Sequence, residues 1–219
     1  EADEVVAQAG ELFGGVAPGR RAEPVAEPRP VRGGDERVHR ASTQSHVVFG
    51  TDTIPHADRR RYPLVLLSSA FGGGMSSRLF QRVREELGLA YSVFSFHSFY
   101  GRAGQLGAYV GTRPEWEERT VEAVRDEYAR LAAEGLDEEE LRQIKRQVKG
   151  HIMLSLERTG ARLARLASFA LYDEPWQGLD ELLARIDGVG TDEVAATAAT
   201  FFDPERTLVL RLGPGGDSP

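Results

Sequence analysis

The chain has 219 residues, 41% of them hydrophobic and 28% charged, a balance that excludes a disordered protein and is typical of a globular one. Its net charge of −7 lacks the basic excess of a nucleic-acid-binding surface, so we expect no nucleic-acid partner. The absence of cysteine excludes disulfides, thiol nucleophiles and cysteine-ligated metals. No apolar run has the ~20 residues that a membrane-spanning helix needs, so we expect no membrane partner and a cytoplasmic or otherwise soluble location.

The beginning of the chain indicates an appendage to the main fold. Asp3 can cap a helix over residues 1–15, which two glycines end. Residues 16–35 contain several prolines and a Gly-Gly pair, and because proline removes backbone donors they predict an extended linker. We interpret the helix as the end of a preceding domain, and the chain as a fragment of a longer protein.

The remaining residues predict one α+β domain over 36–213, followed by a short tail, 214–219. In chain order, the predicted strands cover residues 39–41, 45–50, 91–100, 105–111 and 206–212. The predicted helices cover residues 58–71, 77–87, 112–131, 138–157, 161–171, 179–186 and 192–202. The short turn at 101–104 predicts that the third and fourth strands form an antiparallel hairpin. We therefore expect one mixed, largely antiparallel sheet packed by several helices, without the βαβ order of a nucleotide-binding fold.

Three helix starts carry residues that commonly cap helices. Asp137 precedes the helix at 138–157, Thr191 precedes the last helix, and Ser76 or Ser77 precedes the helix at 77–87. The helix at 138–157 has one apolar face, on which we place Leu141, Ile144, Val148 and Ile152.

Several kinds of catalytic site are missing from the sequence. None of the five histidines belongs to an H-x-x-E-H or H-E-x-x-H motif, so we expect no metal or other cofactor in this chain. No G-x-S-x-G motif supplies a serine nucleophile, and the glycines at 72–74 lack the following G-K-[ST] of a phosphate loop. By themselves, these glycines are compatible with a tight chain reversal or with a flexible loop that a partner chain approaches closely.

One long motif covers residues 71–93 and reads FGGGMSSRLFQRVREELGLAYSV. It resembles a segment of the pitrilysin family, which includes insulin-degrading enzyme and the mitochondrial processing peptidases. Residues 44–48 (QSHVV) and 104–114 (GQLGAYVGTRP) extend the resemblance on both sides. The order of elements agrees with that family from about residue 38 to residue 212, which is most of the chain.

The resemblance implies a function in which two similar halves close around a peptide as a clamshell. In that family the first half binds zinc through H-x-x-E-H, and this chain is similar to the second half. It is therefore expected to be the non-catalytic C-terminal half of a zinc metalloendopeptidase, inactive alone, which grips the peptide substrate and completes the active site. The implied partners are a peptide substrate and a zinc-bearing N-terminal half or partner subunit, and a homo-oligomer is also compatible.

The family motif places two catalytic residues, Arg84 and Tyr91, facing the zinc across the cleft. An arginine can donate to a substrate carbonyl, and a phenol can donate to the oxyanion that forms there. Without the resemblance, an arginine paired with a neighbouring glutamate and a tyrosine in a core strand are the usual interpretations. The residues assigned to substrate binding are Gly72, Gly73, Gly74, Ser77 and Phe94.

An alternative function is that of an inactive family relative, acting as a scaffold or interaction subunit as the core proteins of respiratory complexes do. Retention of Arg84 and Tyr91 favours the peptidase half, because a scaffold does not need either side chain. A nucleotide-binding protein that uses the glycine loop is the third hypothesis, and the missing G-K-[ST] argues against it.

Overall fold

The computed structural model describes residues 2–17, 19, 28–30 and 33–214. Helix α1 spans Ala2–Phe13, and all of its residues are exposed. Most of the predicted linker and all but the first residue of the predicted tail lie outside the described residues. The described part of the chain shows no helix with the length and apolar content needed to cross a bilayer.

The strands of the described residues form one mixed sheet, which confirms the predicted fold class. They are β1 (Gly34–His39), β2 (Ser45–Thr53), β3 (Ala90–Phe99), β4 (Gly104–Thr112) and β5 (Leu208–Gly213). Their order is β1-β5-β2-β4-β3, with β1 and β5 parallel and the other neighbours antiparallel. The predicted hairpin of β3 and β4 is confirmed.

The first strand corrects the prediction. We expected a strand at 39–41 after a linker that reaches residue 35, but β1 begins at Gly34 and ends at His39. The bounds of β1 are set by its pairing with β5, a strand that is distant in sequence. The two strands pair from Gly34 opposite Leu208 to His39 opposite Gly213. Because all residues of β1 are exposed, its sequence lacks the alternation of apolar and polar residues that indicates a half-buried strand.

The α-helices agree with the predicted order. They are α2 (Arg61–Gly72), α3 (Glu117–Glu134), α4 (Glu138–Ser155), α5 (Thr159–Leu171), α6 (Leu179–Asp187) and α7 (Thr191–Phe201). The predicted helix at 112–131 starts too early, because residue 112 still belongs to β4 and a 3₁₀ turn, Pro114–Trp116, precedes α3. A second 3₁₀ turn, Pro204–Arg206, precedes β5.

The predicted helix caps have mixed outcomes. Asp137 caps α4 as predicted, since its carboxylate accepts a hydrogen bond of 2.8 Å from the backbone N–H of Glu140. Thr191 was the wrong cap residue: it is the first residue of α7, and Gly190 takes the cap position without a side-chain hydrogen bond. The apolar face of α4 is confirmed, with Leu141, Ile144 and Val148 buried and Ile152 packed against the core.

The core lies between one face of the sheet and the helices. Strand β2 alternates between buried and half-buried residues, so that Val47 and Phe49 point into the core. Tyr128 of α3 is fully buried, with its ring 4.6 Å from that of Phe71 and 5.5 Å from that of Phe202. Burial raises the pKa of Tyr128 well above its usual value. This aromatic cluster joins α2, α3 and the end of α7 beneath the sheet.

Arg211 of β5 anchors the edge strand β1. Its guanidinium donates to both carboxylate oxygens of Asp35, at 2.7 and 2.5 Å, and to Glu118 at 2.5 Å. Glu117, which is buried, lies 3.4 Å from Arg211 and also pairs with Arg37. Burial alone would lower the pKa of Arg211, but the carboxylates of Glu118 and Asp35 outweigh it and hold this pKa above its usual value. The cluster therefore ties β1, β5 and the start of α3 together.

A second polar cluster fastens the loop after α5 to the start of α2. Glu174 accepts hydrogen bonds from Arg61 at 2.9 and 3.2 Å, and its carboxylate lies 3.0 Å from Nδ1 of His56. The ring of His56 stacks on Tyr172 at 3.9 Å, and the Tyr172 hydroxyl donates to the carbonyl of Phe99 at 3.1 Å. Burial would raise the pKa of the Glu174 carboxyl, but hydrogen bonds from Arg61 and His56 outweigh it and keep this pKa below its usual value.

We expect Glu174→Gln to lower the free energy of unfolding at pH 7 by about 1.5 kcal/mol, as for loss of charged hydrogen bonds. A carboxyl group whose pKa is lower in the folded state than in the unfolded state stabilises the fold at any pH above its unfolded pKa of about 4.3. This stabilisation is lost as the pH falls through the pKa of the folded state. The difference between wild type and variant should therefore shrink in acid, as measured by urea unfolding. Glu157→Gln, at an exposed position, is the control. A pH-independent difference would contradict this account.

Candidate functional site

The glycines at the end of α2 allow a close approach between α2 and β3. Gly72 is buried, and a Cβ at this position would lie 2.4 Å from the backbone nitrogen of Ser95. A Cβ on Gly73 would lie 2.7 Å from the backbone of Ser69, whereas Gly74 is exposed. Ser77 is buried and donates a 2.5 Å hydrogen bond to the carbonyl of Gly74. These contacts supply a structural reason for the residue types at 72, 73 and 77.

Arg84 is carried by a π-helix, Phe80–Glu86, where we predicted an ordinary helix over 77–87. The wider turn is visible in the hydrogen bond of 3.1 Å from the N–H of Leu87 to the carbonyl of Arg82. Val83 is fully buried and fastens this segment to the core. Because π-helical turns occur frequently at functional sites, this geometry draws attention to the residues that the segment presents.

The structure brings Arg84 and Tyr91 together. The Arg84 guanidinium carbon lies 4.7 Å from the ring centre of Phe80 and 4.6 Å from that of Tyr91. Its Nη1 donates a 2.9 Å hydrogen bond to the backbone carbonyl of Tyr91, and the nearest carboxylate, that of Glu85, is 3.6 Å away. Contact with the faces of two aromatic rings favours a cation in this position. Arg84 is therefore held in one orientation beside Tyr91.

Tyr91 sits at an irregularity of the edge strand β3. Ala90 pairs with Thr112 and Ser92 pairs with Gly111, so Tyr91 is the extra residue in this stretch of the ladder. Such bulges bend a strand and redirect a side chain. Tyr91 is 80% exposed, which is opposite to what a core tyrosine would show. Its hydroxyl makes no hydrogen bond to another residue in the described ranges.

Arg84 and Tyr91 line an open cleft of ≈ 490 Å³. The other residues that line it are Gln44, Glu85, Gly88, Leu89, Ala90, Gly111, Thr112, Arg113 and Trp116. None of the residues that we assigned to substrate binding is among them. Phe94 is 45% exposed and contacts Tyr109, with ring centres 5.0 Å apart. The structure thus groups the two predicted catalytic residues and separates them from the predicted substrate-binding residues.

Three further residues that line the cleft were not predicted from the sequence: Gln44, Arg113 and Trp116. Gln44 and Arg113 lie within the stretches that extend the family resemblance, but neither had been given a role. The signal that points to Arg113 is its position directly before Pro114, where a strand ends and a helical turn begins.

Comparison with known proteins identifies the family of the chain. Residues 1–148 match the family profile described as the peptidase M16 inactive domain. The chain belongs to the peptidase M16 family. An uncharacterized zinc protease from Streptomyces coelicolor is 38% identical over 201 residues, which are 88% of this chain and 44% of the relative. One from Bacillus subtilis is 36% identical over 176 residues, 80% of this chain and 43% of the relative. The M16 chain thus spans about half the length of these relatives.

Solved structures share the fold of this M16 domain. The peptidase M16 inactive domain from Pseudomonas fluorescens has a TM-score of 0.88 and 21% identity, covering 100% of this chain and 53% of that chain. A chain of complex III₂ from Candida albicans has a TM-score of 0.80 and 16% identity, covering 97% and 52% respectively. The match to the inactive domain confirms the resemblance that the motif at 71–93 indicated.

The histidines of the M16 domain lie in separate environments. Nδ1 of His46 is 2.7 Å from the Tyr109 hydroxyl, whereas His97 lies 3.1 Å from Ser68, and burial lowers the pKa of its imidazole. Within the described ranges, no three His, Cys, Asp or Glu side chains are grouped so that they could hold a metal ion. The cleft is lined by side chains that can donate hydrogen bonds, among them Arg84 and Tyr91.

Proposed function

We propose that this M16 domain is the substrate-gripping half of a zinc metalloendopeptidase. In this proposal, Arg84 and Tyr91 act on a peptide that lies between this domain and a zinc-bearing half. The observation that carries it is the pairing of an 80% exposed tyrosine, at a strand bulge, with an arginine held against its ring. A purely structural role does not require these two side chains to be exposed in one cleft.

Arg84 is suited to hold the backbone of the peptide. A guanidinium has five N–H donors and no acceptor, and a peptide carbonyl is an acceptor only. One Arg84 nitrogen, Nη1, is used by the carbonyl of Tyr91. The remaining donors can reach a substrate carbonyl without loss of the two ring contacts, so the side chain is largely organised before the substrate binds.

Tyr91 is suited to stabilise the transition state. During hydrolysis of a peptide bond, negative charge develops on the carbonyl oxygen, and a fixed donor at that position would lower the barrier. The Tyr91 hydroxyl is free to donate in this way, and Arg84 beside its ring favours negative charge nearby. The zinc and its ligands belong to the other half, in the same polypeptide or in a partner subunit.

The alternative, an inactive scaffold or interaction subunit, is supported by the shared fold with a chain of complex III₂. The two functions differ in what they require of the cleft. A scaffold should not bind short peptides there, whereas a substrate-gripping half should bind them through Arg84.

Peptide binding by the purified chain tests the proposal. Fluorescence anisotropy should detect a labelled peptide that binds wild type and binds Arg84→Ala at least several-fold more weakly, since one charged hydrogen bond contributes about 1.5 kcal/mol or more. Arg119→Gln, on the exposed part of α3, is the matched control. Equal binding by wild type and Arg84→Ala would contradict the proposal.

We also expect the purified chain to bind no stoichiometric zinc and to cleave no peptide. The physical reason is that a catalytic zinc site needs about three protein ligands, usually histidines and carboxylates, and the histidines here are dispersed. Elemental analysis after dialysis measures the zinc content, and a quenched fluorescent peptide measures cleavage. Retention of about one zinc per chain, the amount that a catalytic site binds, would show that this expectation is wrong.

A further inference from the structure

We propose that Arg113 and Trp116 form a second subsite of the cleft, which binds a carboxylate of the peptide. The inference rests on the proposed function, because it names the chemistry of the peptide that the cleft accepts. The carboxylate can come from an acidic side chain or from the C-terminus of the peptide.

Arg113 presents a guanidinium that lacks a close partner. Its side chain is 66% exposed, and its nearest carboxylate, that of Glu115, is 4.0 Å away, at the limit for an ion pair. The Arg113 guanidinium makes no hydrogen bond to any residue that the structure describes. Its guanidinium carbon lies 4.6 Å from the centre of the Trp116 ring.

Both the backbone and the ring beneath Arg113 are fixed. Arg113 has the extended conformation φ −75° and ψ 146°, which the following Pro114 favours. Trp116 is half-buried and packs against the core, so its ring is a firm base for the cation. The guanidinium is therefore positioned over the cleft before a ligand arrives, which reduces the ordering that binding requires.

The balance of charge in the cleft also favours a carboxylate. Its lining contains two arginines, Arg84 and Arg113, and one carboxylate, Glu85. Glu85 lies 3.6 Å from Arg84, whereas Arg113 has no carboxylate partner within the lining, and Glu115, which lies 4.0 Å from it outside the lining, is an exposed side chain. A guanidinium matches a carboxylate with two parallel N–H donors, and this match distinguishes an acidic group from an amide of the same shape. The amide of Gln44 lines the same cleft and can add a donor.

The test compares labelled peptides that differ only in a carboxylate, with anisotropy as the readout. One pair exchanges glutamate for glutamine within an amidated peptide, and a second pair exchanges a free C-terminus for an amidated one. We expect a carboxylate in at least one pair to increase the affinity of wild type about fivefold, the upper range for one partly exposed ion pair. The pair that responds identifies the source of the carboxylate.

Variants assign that preference to the subsite. Arg113→Gln should reduce the affinity ratio between acidic and neutral peptide to about 1, because an amide lacks the charge that distinguishes the two. Arg119→Gln removes the same charge from the exposed surface of α3 and should leave the ratio unchanged. Equal affinities of wild type for both members of each pair, or the same ratio in Arg113→Gln as in wild type, would overturn the inference but leave the proposed function standing. Failure of every peptide to bind would overturn both.

Discussion

Tyr91→Phe, in an active form that includes a zinc-bearing half, is expected to lower kcat about 100-fold, the usual loss for one oxyanion donor. The change removes a single hydroxyl that donates to no described residue. Because Tyr91 is 80% exposed, packing and stability should be almost unaffected. KM should change little, since the hydrogen bond strengthens as negative charge develops on the substrate oxygen. Steady-state kinetics with one peptide substrate measures both constants.

Arg84→Ala in the same active form should damage KM as well as kcat, because a contact with the peptide backbone acts in the ground state and in the transition state. Zinc content should remain unchanged in both variants, because the proposed function places the metal in the other half. Tyr100→Phe provides a matched control, since Tyr100 is also exposed but lies beyond the opposite end of β3. An active form that tolerates both substitutions would show that Arg84 and Tyr91 are structural residues and that their catalytic assignment is wrong.

Arg211→Met is expected to lower the free energy of unfolding by about 3 kcal/mol, because removal of one partner leaves charges unpaired in a largely buried cluster. Arg211 and Glu117 have side chains only 8% and 5% exposed, and Glu117 would keep Arg37 as its partner. The loss should fall at the lower end of the range for buried pairs, since water can reach Asp35 and Glu118. Urea unfolding followed by circular dichroism measures the change.

Two further variants separate this cluster from an ordinary surface ion pair. Arg125→Gln removes a 45% exposed arginine that lies 3.3 Å from Asp35, and it should cost less than about 1 kcal/mol. Glu117→Gln should recover part of the loss when combined with Arg211→Met, because it removes the most buried carboxylate of the cluster, which would then have Arg37 as its remaining partner. If Arg211→Met and Arg125→Gln are equally destabilising, Arg211 does not anchor the edge strand.

Features that depend on neighbouring residues were predictable from the sequence. The β3–β4 hairpin follows from two patterned segments joined by a short glycine-containing turn. The cap at Asp137 follows from a side chain that can accept a bond from the backbone three residues later. The meeting of Arg84 and Tyr91 came from the family motif alone, since no local pattern relates residues on a helix to one on the next strand.

Other features depend on contacts between residues that are distant in sequence, and no local sequence pattern predicts these contacts. β1 is exposed along its whole length and is recognisable as a strand only beside β5. The π-helix around Arg84 and the bulge at Tyr91 each differ from regular structure by one residue, and a hydrophobic period does not show this difference. Arg113 was missed because its significance lies in the ring beneath it and in its exposure at the cleft.

The position of β5 between β1 and β2 has a consequence for biosynthesis. Until Leu208–Gly213 has left the ribosome, β1 has no strand beside it and β2 lacks one neighbour. The nascent chain then exposes an unpaired edge of β2, an element that contains Val47 and Phe49. Open strand edges are sites of association between chains. A chaperone that shields β2 until β5 has emerged would therefore protect this domain during the interval when its strand edge is open.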